Sequence, residues 1–433
     1  MKSLSLLRSL PGIKLRGSVV CPNCWHEFAP EDVLWIAVSP KLADEPVLPA
    51  LATGKEQRRF VPERFDVLGH ALDAEGTPCA QFACPRCRLD IPRPALELPS
   101  FVLSVLGTPG SGKSVFLASM IFETRQQAAS LGLRFQDADL VLNKELLDAE
   151  QKLFLDPEAE DYRQIDAAVE KTKIELGEKR YRKTKIDGHD VAFVTPFTFI
   201  VAPTSSHPRA EAASSLSRLL CLYDNAGEHF RPGADRADQP LTRHLAASKG
   251  LIFTFDPTKY RRLQKAIGAQ WKADRSEDRQ DAVLLEAGRI IRDHAGIGSS
   301  AQLPQPLVVA VTKFDVWRPL FTGSIEDLKI LRTYPGSDSA KALYLDTVET
   351  ISRLCRAILW EYAREIVSAA ESLSGDVIYV PVAALGWDVQ IDPRTGAMRS
   401  RTANAEPFGV LVPMLYLLLK GGSRLVLTVR RKD

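Results

Sequence analysis

Five short apolar runs punctuate the chain after its first hundred residues: Phe101–Leu106, Leu219–Tyr223, Leu251–Phe255, Leu307–Val311 and Val377–Val382. Runs of this length, bounded by turn-forming residues, read as buried strands. A sixth strand-like run, Pro196–Val201, is preceded by Val191–Val194 and a turn at Ile186–His189. Between the runs the apolar positions take helical spacing. Val115–Phe122 predicts a helix directly after the first strand, and helical insertions are expected near 125–177, 261–295 and 340–373, the last as one long amphipathic helix. A closing helix is predicted over Pro407–Lys420. Ile391–Ala405 reads as a loop in which Arg394, Arg399 and Arg401 meet an anion or water.

The first hundred residues follow another pattern, with an apolar run at Val33–Val38, a loop-like Pro46–Gly54 and a proline-rich stretch Arg88–Pro99 that reads as a linker. The pattern therefore divides the chain into a small module with its linker at 1–98, a main domain at 99–422 with helical insertions, and a basic tail at 423–433 suited to an edge strand or a short partner arm.

At 433 residues the chain exceeds one ordinary domain. Its 56 Lys and Arg against 54 Asp and Glu leave a formal charge of +2, which argues against a dedicated nucleic-acid binder, so any anionic ligand must be caught locally. No run reaches the roughly 18 apolar residues needed to span a bilayer. Val410–Leu419 comes nearest but is interrupted by Pro413. The N-terminus lacks a small-residue cleavage site, and a cytoplasmic location is expected.

Four of the seven cysteines form two C-P-x-C knuckles, Cys21–Cys24 and Cys84–Cys87. A two-residue spacer lets both thiolates face one ion while turn amides donate to the sulfurs, and two such knuckles complete a tetrahedral Zn–S4 site. Redox dithiols are the alternative. The 59 residues between Cys24 and Cys84 make an unusually long excursion for a zinc ribbon. Cys79, Cys221 and Cys355 read as free thiols.

The first apolar run feeds into Gly107-Thr108-Pro109-Gly110-Ser111-Gly112-Lys113-Ser114, a G-x-x-x-x-G-K-S loop followed by a helix pattern beginning at Val115. Strand, glycine loop and helix N-terminus together make a phosphate cradle. In it Lys113 would reach the β and γ phosphates and Ser114 would ligate Mg²⁺. The second run ends in Asp224-Asn225-Ala226-Gly227, a D-x-x-G motif, where Asp224 would support the Mg²⁺ shell and the Gly227 amide would sense the γ-phosphate. The fourth run ends in Thr312-Lys313-Phe314-Asp315, of the form [N/T]-K-x-D. The Asp315 carboxylate can accept from guanine N1 and N2 together, a donor pair that adenine lacks. The last run ends in Ala383-Ala384-Leu385, where a backbone amide at Ala384 would meet guanine O6.

From Phe101 to about Lys420 these motifs, in this order, resemble the Ras-like, translation-factor class of P-loop GTPases. The resemblance implies an α/β fold built on a mostly parallel sheet, GTP and GDP as ligands, Mg²⁺ as cofactor and slow hydrolysis of GTP. The N-terminal zinc ribbon and the string Asp224-Asn225-Ala226-Gly227-Glu228-His229-Phe230 look like the bacterial double-GTPase proteins predicted in conflict or defence gene neighbourhoods.

The pattern departs from the family at several points. Small GTPases carry a Gln after D-x-x-G; here Glu228 and His229 stand in that region as candidates to orient the attacking water. The switch threonine is either Thr184, in the basic run Lys179–Lys185, or Thr195, with Thr184 favoured. Arg180 or Arg182 would then serve as an arginine finger, unless the run is only a solvated face. The leading reading is a GTP-hydrolysing regulatory switch whose insertions and zinc module hold protein effectors. The alternative is a hydrolysis-poor nucleotide-binding scaffold, and the oligomeric state stays open.

Overall fold

The computed structural model describes residues 15–48, 56–155, 163–164, 180–225, 227–230, 242–268, 279–321, 325, 328–337, 339–387, 389–391, 398–400 and 405–431. For 163–164, 228–229, 389–391 and 398–400 only the backbone is described. The fold is mixed α/β, centred on a sheet of seven strands: β1 (Ser100–Gly107), β2 (Leu133–Asp137), β3 (Phe197–Pro203), β4 (Arg218–Asp224), β5 (Gly250–Phe255), β6 (Leu307–Val311) and β7 (Val377–Pro381). Their order across the sheet is β2-β3-β4-β1-β5-β6-β7. Only the pairs β2/β3 and β3/β4 are antiparallel; β4, β1, β5, β6 and β7 run parallel.

Both faces of the sheet are covered, which explains why its strands are apolar at consecutive rather than alternate positions. Successive side chains in β5 and β6 enter opposite cores. Ile252, Val308 and Ala310 join one core with helix α1 (Lys113–Gln127) and the closing helix. Leu251, Phe253, Phe255, Leu307, Val309 and Val311 join the other, with helices α2 (Gln280–Ala295), α3 (Leu345–Tyr362) and α4 (Arg364–Leu373). The closing helix, α5 (Leu411–Lys420), carries Pro413 at its third position, where an α-helix has no intrahelical use for the missing N–H.

Three local expectations change. The 125–177 segment is not helical throughout: it contributes edge strand β2, in which buried or half-buried Leu133, Phe135 and Asp137 alternate with exposed Arg134 and Gln136. Phe135 stacks on Phe199 of β3 at 4.8 Å between ring centroids, so a five-residue alternation hidden in a helix-like composition forms a strand. The remainder of that segment beyond helix Lys144–Glu150 and the turn Gln151–Leu155 lies largely outside the described residues. The 340–373 segment begins with strand Lys341–Tyr344 and then breaks into α3 and α4 at Ala363, whose φ of −147° and ψ of 52° are not helical. The proline-rich stretch also does more than connect. Asp90–Ile91 pairs with Phe82–Ala83, and the short helix Pro94–Glu97 buries Ala95 against Val102, Leu219 and Tyr223.

The N-terminal module has its own four-stranded sheet, Arg59–Phe60, Leu34–Ile36, Phe82–Ala83 and Asp90–Ile91, around Trp35, Phe82 and the four knuckle cysteines. A hairpin inserted before β3, Tyr181–Ile186 with His189–Val194, turns through Asp187 and Gly188 at φ 52° and 82°. Positive φ at both central residues is the mark of the tight hairpin turn that Asp-Gly favours. Thr428–Val429 of the tail pairs in parallel with Lys341–Tyr344. No helix among the described residues is long and apolar enough to cross a membrane.

Phe253 is fully buried at the centre of the sheet. Its truncation, Phe253→Ala, is expected to cost about 3–5 kcal/mol of stability, read from the denaturant midpoint.

Candidate functional site

The Gly107–Ser114 loop lies at the C-terminal end of β1, where the central strand hands over to α1. Its glycines answer different demands. A Cβ on Gly107 would stand 2.1 Å from Thr254 Oγ1 and 2.8 Å from Ser111 Oγ, so close approach of neighbouring atoms excludes a side chain. Gly110 and Gly112 take φ of 71° and 84°, the left-handed region open to glycine without strain. The loop then enters α1 with Phe116 N donating to Gly112 O at 2.9 Å, and with Lys113, Ser114 and Val115 on the first turn.

Two further strand ends meet this loop, and a third meets the segment that follows β6. From β4, Asp224 pairs with Lys113 Nζ, and Gly227 lies so close that a Cβ there would sit 2.5 Å from Gly107 O and 2.8 Å from Pro109 Cδ. Gly227–Phe230 forms a 3₁₀ turn pinned by fully buried Phe230. The candidate side chains Glu228 and His229 on that turn lie outside the described residues. From β6, Thr312 Oγ1 donates to Ser111 O at 2.8 Å, tying the T-K-F-D segment directly to the glycine loop. Asp315 opens the helical turn Phe314–Trp317, and burial pushes its carboxyl up to about 6, opposed by the nearby Lys313 charge. From β7, Phe314 N donates to Val382 O at 3.0 Å, while Ala383 bridges to Phe408 and half-buried Ala384 follows.

The site contains buried polar atoms that no protein group satisfies. Thr108 Oγ1, Thr195 Oγ1, and both Oδ1 and Nδ2 of Asn225 are buried without a hydrogen-bond partner among the described residues. Each such atom costs on the order of 1–3 kcal/mol, and their location beside Gly107 and Asp224 marks a place built for polar ligand atoms or water.

The hairpin residues resolve differently from expectation. Thr184 does not face the glycine loop: it is buried, and its Oγ1 donates to Cys87 O at 2.8 Å in the cysteine module. Thr195 is buried with its hydroxyl unpartnered among the described residues, and its amide donates to Arg180 O at 2.9 Å. It stands two residues before Phe197, whose pairing with Leu222 is the last of β3 on β4, and Asp224 stands two residues after Leu222. Nor are Arg180 and Arg182 available as fingers. Arg180 is buried, stacked 3.4 Å over Phe197, paired with Glu145 at 2.9 Å and donating to the carbonyls of Leu142, Thr195 and Pro196. Arg182 pairs with Glu56 at 2.9 Å. Tertiary partners hold both arginines of a basic run that reads on its own as solvated or catalytic, while Lys183 and Lys185 stay exposed.

Sequence reading also missed the turn after β5. Asp256 is fully buried; its Oδ1 accepts from Thr258 N and Oγ1, and its Oδ2 lies 2.7 Å from Lys313 Nζ. The turn presents Lys259, whose Nζ donates to Pro109 O at 2.8 Å. The D-P-T-K string at a strand end was the available signal. Of the arginines expected in the Ile391–Ala405 loop, Arg394 and Arg401 lie outside the described residues. The backbone of Arg399 pairs with Gln390 and Gln164.

The two knuckles form one cluster. Cys21, Cys24, Cys84 and Cys87 are all buried, with every sulfur within 4.8 Å of the others. The Cys21–Cys87 and Cys24–Cys84 sulfur separations are 3.8 and 3.6 Å. Four thiolates at about 2.3 Å around zinc stand about 3.8 Å apart, so the cluster fits a tetrahedral ion. The knuckles repeat one geometry. Asn23 N and Arg86 N donate to Cys21 Sγ and Cys84 Sγ at 3.3 and 3.4 Å, and Trp25 and Arg88 follow at φ 62° and 57°. Burial pushes the Cys21 and Cys87 thiols up, while hydrogen bonds from neighbouring thiols hold Cys24 and Cys84 down. Cys79, Cys221 and Cys355 are buried outside the cluster, and burial raises Cys221 to about 12.

No protein-family model and no curated protein matches the chain. Among solved structures, Sup35 complexed with GDP is similar at 14% identity over 67% of this chain, with a TM-score of 0.22. Sup35 complexed with GMPPNP is similar at 14% over 66%, with a TM-score of 0.19. This chain spans 38% of the length of each, and overlaps this loose leave the assignment to the site itself.

Two outcomes test the geometry. Metal analysis of purified protein is expected to give one Zn²⁺ per chain, reduced at least tenfold in Cys84→Ser, with uptake weakening as pH falls because protons compete for the thiolates. Gly227→Ala is expected to shift the glycine loop, detected as altered amide exchange over 107–112 relative to an exposed control, Gly298→Ala, which meets no atom within 4 Å.

Proposed function

We propose that the chain binds guanine nucleotides and hydrolyses GTP to GDP and phosphate with Mg²⁺, acting as a regulatory switch. The observation that carries this reading is the convergence of three segments that are remote in sequence. The Gly107–Ser114 loop is bonded through Ser111 to Thr312, paired through Lys113 to Asp224, and in close backbone contact with Gly227.

The roles follow from position. Amides of Gly110, Ser111, Gly112, Lys113, Ser114 and Val115 surround the phosphates at a helix N-terminus. Lys113 pairs with Asp224; a triphosphate would supply stronger charge and draw the ammonium to the β and γ oxygens, leaving Asp224 to support the metal. Ser114, Asp224 and Thr195 are the residues to hold Mg²⁺, which when bound neutralises charge developing between the β and γ phosphates. The unsatisfied Thr195 hydroxyl, just before the strand that pairs with β4, supports this choice over Thr184, whose hydroxyl is bonded to Cys87 O. Gly227 offers its amide to the γ-phosphate, and Glu228 and His229 on the same turn are the candidates to orient water. Asp315 takes guanine N1–H and N2–H, with Thr312 and Lys313 fixing its approach and the Ala384 amide meeting O6. The defence setting rests on the sequence resemblance alone.

Titration calorimetry is expected to show GDP bound at least a hundredfold more tightly than ADP, with Asp315→Asn moving preference to xanthine nucleotides; equal affinity for ADP and no effect of the variant would overturn the reading. Asp315 must be ionised to accept two donors, and burial pushes its carboxyl up to about 6. GDP affinity should therefore be flat above that pH and fall by about tenfold per unit below it, with proton release on binding near pH 6. For folding alone the sign is opposite: a raised carboxyl contributes most below about pH 4, and that contribution is lost as pH rises through about 6. In single-turnover assays, loss of bound GTP supports the switch, and persistent GTP supports a scaffold that holds nucleotide without hydrolysis.

A further inference from the structure

Each cysteine knuckle carries a hydrogen bond to a different segment beside the glycine loop. In the first knuckle, Pro22 O accepts from the hydroxyl of Tyr223, the residue immediately before Asp224. Tyr223 is fully buried; Trp25 of the same knuckle lies 5.8 Å from its ring, and His244 stacks on it at 4.2 Å. In the second knuckle, Cys87 O accepts from Thr184 Oγ1. The Thr184 hairpin is fastened further by Lys185 N to Val47 O at 3.0 Å, by Arg182 to Glu56, and by Phe193 buried in the module core. It then runs through Val194, packed with Tyr223, into Thr195. The same four-sulfur cluster thus anchors the segment ending in Thr195 and the strand ending in Asp224.

We infer that the four-cysteine module is a working part of the phosphate site: a metal ion held by the knuckles positions Thr195 and Asp224 through Thr184 and Tyr223, so that metal occupancy and nucleotide residence are coupled. Tyr223 and Thr184 are positioning residues and touch neither ligand. The inference rests on the nucleotide-binding reading and goes beyond it. The physical cause is that the knuckle carbonyls at Pro22 and Cys87 keep their places only while the four sulfurs share an ion. Without one, buried thiols lose their common partner and the turns loosen. Linkage then requires reciprocity in affinity: the factor by which metal tightens nucleotide binding is the factor by which nucleotide tightens metal binding.

The test uses the full chain and MANT-GDP. Its dissociation rate is measured for zinc-replete wild type, wild type after zinc extraction by a chelator, Tyr223→Phe and Thr184→Val. Tyr416→Phe serves as a control, since it also loses a tyrosine hydroxyl bond, a part-buried one to Asp376. Zinc extraction and each of the two variants are expected to speed release by about tenfold, the usual scale of coupling between sites, with the control at the wild-type rate. Zinc content stays at one ion per chain in both variants. In the reciprocal measurement on wild type, excess GDP is expected to lower equilibrium zinc transfer to a competing chelator, by a matching factor in zinc affinity, a readout that survives even if a variant folds poorly. Unchanged MANT-GDP release in the variants and after extraction, or zinc transfer indifferent to GDP, overturns the coupling while leaving the nucleotide reading intact. Failure of zinc-replete wild type to bind MANT-GDP overturns both.

Discussion

Close backbone approach around Gly107 is the constraint on which the rest of the site depends. The carbonyl of Gly107 and the ring of Pro109 meet Gly227, and Thr254 fills the space a Gly107 side chain would need. The first contact is open only because Gly227 has no Cβ and the second only because Gly107 has none, and together they fix the relative heights of β1, β4 and β5 at their C-terminal ends. With those heights set, Lys113 reaches Asp224 and Thr312 reaches the Ser111 carbonyl. The parallel strands supply the platform, and the glycines allow loops from separate crossovers to share one small volume.

The cysteine module is joined to that platform rather than appended to it. The short helix Pro94–Glu97, the hydroxyl of Tyr223 and the Thr184 hairpin bind it along the β3–β4 side of the sheet. Charge follows the same economy of place. A chain with net charge of +2 concentrates Lys113, Lys259 and Lys313 around one loop, each held by a carboxylate or carbonyl of its own chain. Such cations are pre-positioned and little solvated, which strengthens their action on a nearby anion.

Two kinds of feature differed in how far the sequence disclosed them. The strand ends at Gly107, Asp224, Thr312 and Ala383 were legible because a short apolar run followed by specific residues carries strand and chemistry together. The paired C-P-x-C knuckles were legible because their spacing alone brings thiols together, and the fold adds that two knuckles 59 residues apart share one cluster. Strand β2 was not, since its alternation occupies five residues of a helix-rich composition. The break at Ala363 was also hidden, because apolar spacing continues across it on both sides.

By itself the sequence determined the local chemistry: which residues can cradle an anion, gather a metal or face a base, and the strand that precedes each. Only the tertiary structure decided among equivalent local candidates. Thr184 and Thr195 both stand near strands, but the fold bonds the Thr184 hydroxyl to Cys87 O and leaves the Thr195 hydroxyl buried without a partner among the described residues. Arg180 and Arg182 look alike in a basic run, yet one is buried under Phe197 and the other meets Glu56. The reason is physical: a side chain's role depends on which donors and acceptors reach it across the fold, and spacing along the chain carries no record of those partners.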